Sequence, residues 1–138
     1  MLDTAPITDA DIDAVVALWR RAGLTRAWND PYKDIDFARA AENATVLVGR
    51  AGAEIVASVM VGHDGHRGAV YYLAVDPGQQ GRGFGRAIMN TAEDWLKARG
   101  VWKLNLLVRG DNLAARGFYE ALGYTQEPNI QMGRRFAD

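Results

Sequence analysis

The chain has 138 residues, 49% of them hydrophobic, and sets 16 basic against 17 acidic side chains for a formal net charge of −1. That length fills one sizeable core and not two, so a single domain over residues 1–138 is expected, and the near-neutral charge supplies no overall field for nucleic acid or an anionic membrane. The absence of cysteine excludes a disulfide framework, a thiolate metal site and a cysteine nucleophile.

Residues 1–6 lack the basic and apolar stretches of a signal peptide and no apolar run approaches membrane-spanning length, so a cytoplasmic location is expected. Thr8-Asp9-Ala10-Asp11 places a hydroxyl three residues before an acid, and Ile12, Val15, Val16 and Trp19 recur at helical spacing. A first helix therefore starts here and ends near Gly23. Trp28-Asn29-Asp30-Pro31 reads as a turn before a short helix over residues 35–41. Residues 45–50, 54–61 and 69–75 are rich in β-branched or aromatic residues and are separated by Gly-containing segments, which predicts an antiparallel meander.

A helix over residues 84–99 turns Phe84, Ile88, Thr91, Ala92 and Trp95 toward a core and stops at Gly100. Residues 103–108 follow as a strand, and the strand-helix-strand piece predicts a parallel crossover. A last helix spans residues 113–122 before Gly123, and residues 124–127 with 130–136 predict a terminal hairpin around Pro128-Asn129.

Between the third strand-like run and the long helix lies Gln80-Gly81-Arg82-Gly83-Phe84-Gly85. Glycines allow positive φ and bare the backbone, and the first N–H groups of a helix have no internal acceptor, so an anion is drawn to this point. Arg82 and Arg86 add formal charge. A nucleoside-triphosphate loop would need a Gly-Lys-Ser/Thr ending, and a dinucleotide fingerprint fails because Arg86 stands in place of its third glycine. A plain Gly-rich turn, with both arginines as solvated charges, is the alternative.

The last helix divides into faces at about 100° per residue. Ala114, Phe118, Ala121 and Leu122 form the side expected to be buried, Arg116 and Glu120 point to water, and Asn112, Ala115 and Tyr119 share a third edge. Asn112 also suits a helix cap and Tyr119 a half-buried packing aromatic.

The pattern Gln-x-x-Gly-x-Gly after Leu-Ala-Val-Asp-Pro resembles the pyrophosphate loop of the GNAT superfamily of N-acetyltransferases, and the run from Asn112 through Tyr119 to Tyr124 resembles its second signature. In Trp28-Asn29-Asp30-Pro31, Asp64-Gly65-His66-Arg67-Gly68 and Tyr71-Tyr72-Leu73 the chain is also similar to the YpeA-like bacterial branch. The resemblance implies a three-layer α/β (α+β) fold, with a mixed, mostly antiparallel sheet of about six to seven strands, a splayed parallel pair and about four helices. It implies acetyl-CoA as co-substrate, without a metal. Gln80, Gly81, Arg82, Gly83, Phe84, Gly85 and Arg86 would hold the diphosphate of coenzyme A, the strand edge at Leu73, Ala74 and Val75 the thioester and pantetheine, Asn112 the cofactor, and Tyr119 would protonate the leaving thiolate.

Direct attack of an amine on the thioester also requires a group that takes up a proton. The strand before the loop carries no carboxylate, which leaves a relay through Asp36, His63, Asp64 or a strand tyrosine. Trp28, Asp30, Asp34 and Asp36 cluster in the segment that resembles the acceptor-side wall, and Trp28, Asp30, Asp36 and Tyr71 are the candidates to bind the acceptor, a small-molecule or peptide amine. A monomer or homodimer is expected. A non-catalytic acyl-CoA sensor, a ribosomal-protein N-terminal acetyltransferase and a nucleotide-binding module are the competing readings.

Overall fold

The computed structural model describes residues 1–137. The chain runs β1 (Asp3–Pro6), a short 3₁₀ turn (Asp9–Asp11), α1 (Ile12–Arg21), α2 (Pro31–Ala40), β2 (Ala44–Ala51), β3 (Glu54–His63), β4 (Gly68–Val75), a second 3₁₀ turn (Pro77–Gln79), α3 (Phe84–Lys97), β5 (Leu104–Asn105) and α4 (Leu113–Ala121). One sheet carries the strands in chain order. Its pairs are antiparallel except β4 with β5, which is parallel, so the meander and the crossover both form.

Among the described residues the strand count is five rather than six to seven. The expected terminal hairpin has no strand among the described residues, and Ile130, Met132 and Phe136 are all more than four-fifths exposed. An isolated two-stranded hairpin with no face to bury is marginal in water. The strand expected over residues 103–108 shrinks to two residues, Leu104 and Asn105, whereas β1 forms without any periodic apolar signal. β1 is an edge strand with all four residues exposed, a setting that tolerates Pro6.

The chain forms two compact units, Met1–Leu106 and a second beginning at Leu107. In the first, Val15, Val16, Leu18 and Trp19 of α1 and Ile35 and Ala38 of α2 pack with Val46, Val48 and Ala74 on one face of the sheet. Alternation along the strands sends Leu47, Val59 and Val61 to the other face, where α3 buries Phe84, Ile88, Met89, Ala92 and Leu96. The α3 stripe thus differs from the expected one, with Thr91 and Trp95 only half-buried at its margin. Each large aliphatic side chain fully removed from water contributes about 1.5–3 kcal/mol, so the two layers of contacts define the unit.

Two buried polar groups are fastened inside it. The Trp19 indole N–H donates to Ser58 Oγ at 2.8 Å with both residues fully buried. Asp11 is 5% exposed, accepts from the Thr8 N–H at 2.9 Å and pairs with Arg50. The expected cap is thus present, and its acid does double duty. Burial alone would raise the Asp11 carboxyl, but the Thr8 and Arg50 hydrogen bonds outweigh it and hold the group below the usual 3.8. The second helix starts earlier than the spacing suggests. Asp30 caps it by accepting from the Tyr32 N–H at 2.9 Å, and Pro31 fills the first helical position.

Two outcomes follow from these buried groups. Ser58→Ala leaves the indole N–H without an acceptor and should cost about 1–3 kcal/mol in urea unfolding. Because the folded carboxyl of Asp11 is depressed, its contribution is present above the unfolded pKa and is lost as pH falls through the folded one; Asp11→Asn should therefore flatten part of the acid limb of a stability profile.

Candidate functional site

The site begins with an irregularity in β4. Ser58 pairs with Ala74 and Met60 with Tyr71, so Val59 alone faces two residues, Tyr72 and Leu73. This is a β-bulge. Tyr72 has φ of +54°, the one positive value outside glycine among the described residues. On the other edge, β5 pairs only with Gly68 and Ala69. Among the described residues β4 has no strand partner on that side from Val70 to Val75, and this stretch includes Leu73, Ala74 and Val75.

The chain leaves β4 through Asp76, which fixes the start of the loop. Its N–H donates to the Val56 carbonyl at 2.8 Å, one carboxylate oxygen accepts from the Gly78 N–H at 3.0 Å, and the other accepts from Arg21 at 3.1 Å. Beyond the second 3₁₀ turn, Gln80 is exposed and extended, and Gly81 and Gly83 take φ of +82° and +79°. Gly83 is the N-cap of α3 and supplies no capping side chain. Phe84 is 7% exposed, so its ring anchors the helix start in the core and only its backbone is offered to a ligand. Gly85 and Arg86 complete the first turn. The positive φ values suit glycine, and Gly83 as N-cap brings no side chain to compete for the first-turn N–H groups. The residues singled out in the sequence between Leu73 and Arg86 thus form one continuous run from an open strand edge to a bare helix N-terminus. Gln79 Oε1 is buried there without a hydrogen-bond partner, an acceptor that a ligand N–H would satisfy.

The acceptor-side candidates scatter by role. Trp28 and Tyr71 are 64% and 54% exposed, Asp36 is exposed on α2, and Asp30 spends its carboxylate on capping α2. Two candidates for the proton relay are tied up in the turn between β3 and β4. Asp64 accepts from the His66 and Arg67 N–H groups at 2.9 and 2.8 Å, His63 Nδ1 accepts from the Gly65 N–H at 3.0 Å, and the Asp64 carboxyl is lowered chiefly by the Arg67 hydrogen bond.

In the second unit Asn112 caps α4, its Oδ1 accepting from the Ala115 N–H at 3.0 Å. That use leaves its amide N–H groups as donors. The covered stripe of α4 is Ala115, Phe118, Tyr119 and Leu122, while Ala114 and Ala121 are exposed. The correction has a simple cause: residues at i, i+3, i+4 and i+7 share a face, and Ala114 and Ala121 lie about 100° from it. Tyr119 makes edge contacts with Phe118 and Tyr124, centroids 5.1 and 5.9 Å away. Burial pushes its phenol up to about 12, so it is protonated at neutral pH.

Comparison with known proteins places the chain in a family. The profile of the acetyltransferase (GNAT) family matches residues 12–124. An acetyltransferase of Yersinia pestis (strain Pestoides F) is 45% identical over 125 residues, which cover 91% of this chain and 89% of that protein. Among solved structures, the ribosomal-protein-S18-alanine N-acetyltransferase from Escherichia coli aligns with a TM-score of 0.78 at 27% identity, over 92% of this chain and 79% of its own. AAC(6')-Iy, in complex with the bisubstrate analog CoA-S-monomethyl-acetylneamine, shares the fold with a TM-score of 0.84 at 13% identity over 99% of each chain. The chain belongs to the GNAT acetyltransferase family, and acetyl transfer is the chemistry of its class.

Sequence reasoning named a strand tyrosine as a possible relay without separating Tyr72 from Tyr71, and did not carry Asp34 forward as a site residue. No local pattern marks a bulge, and Asp34 is one acid among several on α2. Only the adjacent Tyr71-Tyr72 pair on one strand signals that alternation breaks there. Gly83→Ala should strain the N-cap, because a left-handed residue with a Cβ costs about 1–2 kcal/mol; a lowered Tm with unchanged far-UV circular dichroism is the expected result.

Proposed function

We propose that the protein is an acetyl-CoA-dependent N-acetyltransferase that passes an acetyl group to a primary amine by direct attack in a ternary complex. The observation that carries this reading is the run from the open β4 edge to the N-terminus of α3 that Gly83 leaves without a side-chain cap. A helix start without a capping side chain, the helix dipole and the glycine backbone suit a diphosphate. The β4 edge beyond the bulge offers main-chain groups to a pantetheine amide and a thioester carbonyl.

When bound, acetyl-CoA supplies an activated acyl carbon and a thiol leaving group. In this reading the amides of Gly81 to Arg86 hold the diphosphate, Leu73 to Val75 align the thioester, Asn112 donates to the cofactor, and Tyr119 gives its proton to the departing sulfur. A phenol at about 12 is always loaded for donation, although it is a weaker acid than free tyrosine. Removal of a thiolate from water raises its basicity in the same way, which narrows the gap between donor and acceptor. Identity of 27% to an enzyme named for a ribosomal-protein alanine supports a peptide N-terminus as one acceptor class, beside small-molecule amines. The setting we propose is cytoplasmic; among the described residues no helix is long and apolar enough to cross a membrane.

The test is thiol release from acetyl-CoA with polyamines, aminoglycosides and a peptide bearing a free N-terminal alanine. Amine-dependent release is expected. Binding of coenzyme A without any release would assign the chain to a sensor. Tyr119→Phe should lower kcat about 100- to 10,000-fold, the usual worth of a general acid, while calorimetry shows little change in the Kd for coenzyme A. Unchanged turnover would remove Tyr119 from the chemistry.

A further inference from the structure

An amine that attacks a thioester must surrender a proton, and of the residues that suggest themselves in the sequence His63 and Asp64 hold a turn together and Asp36 is exposed, which leaves a strand tyrosine. One pair stands apart. The Tyr72 hydroxyl donates to Asp34 Oδ2 at 2.6 Å, and among the described residues no other donor reaches that carboxylate. Both residues are half-buried, which keeps them dry enough to matter and open enough to be reached.

The pair is also held unusually firmly. The Tyr72 ring stacks on Trp19 with centroids 3.9 Å apart and planes 2° from parallel, and Trp19 is itself pinned to Ser58. Tyr72 sits at the left-handed position of the bulge, immediately before Leu73, where the open edge begins. A backbone conformation this costly in a non-glycine residue persists only where its surroundings enforce it, and such residues gather at functional sites.

We propose that Asp34 and Tyr72 are the proton-accepting pair on the acceptor side of the reaction. The inference rests on the acetyltransferase reading above. The phenol is not the base by itself, because burial and then the Asp34 carboxylate push it up from 10. It acts as a relay: its oxygen takes a proton from the incoming ammonium while its own O–H proton passes to Asp34 Oδ2. The freed nitrogen lone pair forms the N–C bond, the C–S pair leaves with sulfur, and the second proton lost by nitrogen balances the protonation of the thiolate. Asp34 then releases its proton to water, so each turnover liberates one proton from an ammonium substrate. A negative carboxylate behind the phenol also selects a cationic acceptor over a neutral alcohol.

The experiment compares Asp34→Asn, Asp34→Glu and Tyr72→Phe with the parent protein. It uses acetyl-CoA with whichever of spermidine, an aminoglycoside or an N-terminal-alanine peptide supports turnover. Asp34→Asn and Tyr72→Phe should each lower kcat by about 100-fold or more, with the Kd for coenzyme A within about threefold; Tyr72→Phe also lowers the Tm through the lost hydrogen bond, whereas Asp34→Asn keeps an oxygen that can accept from the Tyr72 hydroxyl. Tyr72→Phe keeps the ring on Trp19, and Asp34→Glu should recover part of the lost kcat by restoring a carboxylate. The pair is overturned if kcat survives either substitution, if coenzyme A binding falls in parallel with activity, or if Asp34→Glu is as inactive as Asp34→Asn. Parent protein that binds coenzyme A but transfers to no amine also overturns it, whereas failure to bind coenzyme A at all would strike the acetyltransferase reading itself.

Discussion

The fold turns on the backbone of Tyr72. A left-handed conformation in a residue with a Cβ costs about 1–2 kcal/mol, and a strand does not accept it without compensation. Here the compensation is visible: a face-to-face stack on Trp19 and a hydrogen bond to a carboxylate. An aromatic pair contributes about 0.5–1.5 kcal/mol beyond its buried area, and a hydrogen bond to a charged group about 1.5–3 kcal/mol. The two are of the size needed to hold the bulge. Trp19 is in turn fixed by Ser58 on β3, so α1, α2, β3 and β4 meet in one cluster of four side chains.

What the bulge accomplishes is a change in the course of β4. The ladder with β5 ends after Ala69, and the strand beyond Tyr72 keeps its antiparallel partner while its other edge stays without one. Asp76 then ties the exit of β4 to β3 and to Arg21 of α1. The glycines that follow therefore start from a fixed point, and Phe84 closes the segment by anchoring α3 in the core. A backbone loop proposed to hold an anion is only as well placed as the elements at its two ends, and both ends here are buried or hydrogen-bonded.

Much of this was legible in the sequence, for physical reasons. Helices α1 and α3 declare themselves by period and caps, and the meander by β-branched runs between glycines. The Gly-rich loop shows because Gly81 and Gly83 take positive φ, a backbone task that other residues perform badly. The Asn112 cap and the depth of Tyr119 follow from helical geometry, although the covered face of α4 is rotated from the one expected. Three things were hidden. β1 has no apolar pattern because an exposed edge strand needs none. The tail from Tyr124 onward resembles a hairpin in composition but offers no face to bury. The Tyr72–Asp34 pair joins residues 38 positions apart, a contact created by the packing of α2 on the sheet that no local spacing encodes.

The central claim is that an opened β4 edge and the uncapped start of α3 together receive acetyl-CoA. Residue-resolved hydrogen exchange tests it most directly, on free protein and on protein saturated with acetyl-CoA. The account predicts that outward amides of β4 beyond Tyr72 and those of Gly81 to Gly85 exchange quickly in the free protein, while β2 and β3 stay protected, and that acetyl-CoA slows both groups. Exchange at those amides that is already as slow as in β3, or that acetyl-CoA leaves unchanged, would contradict it.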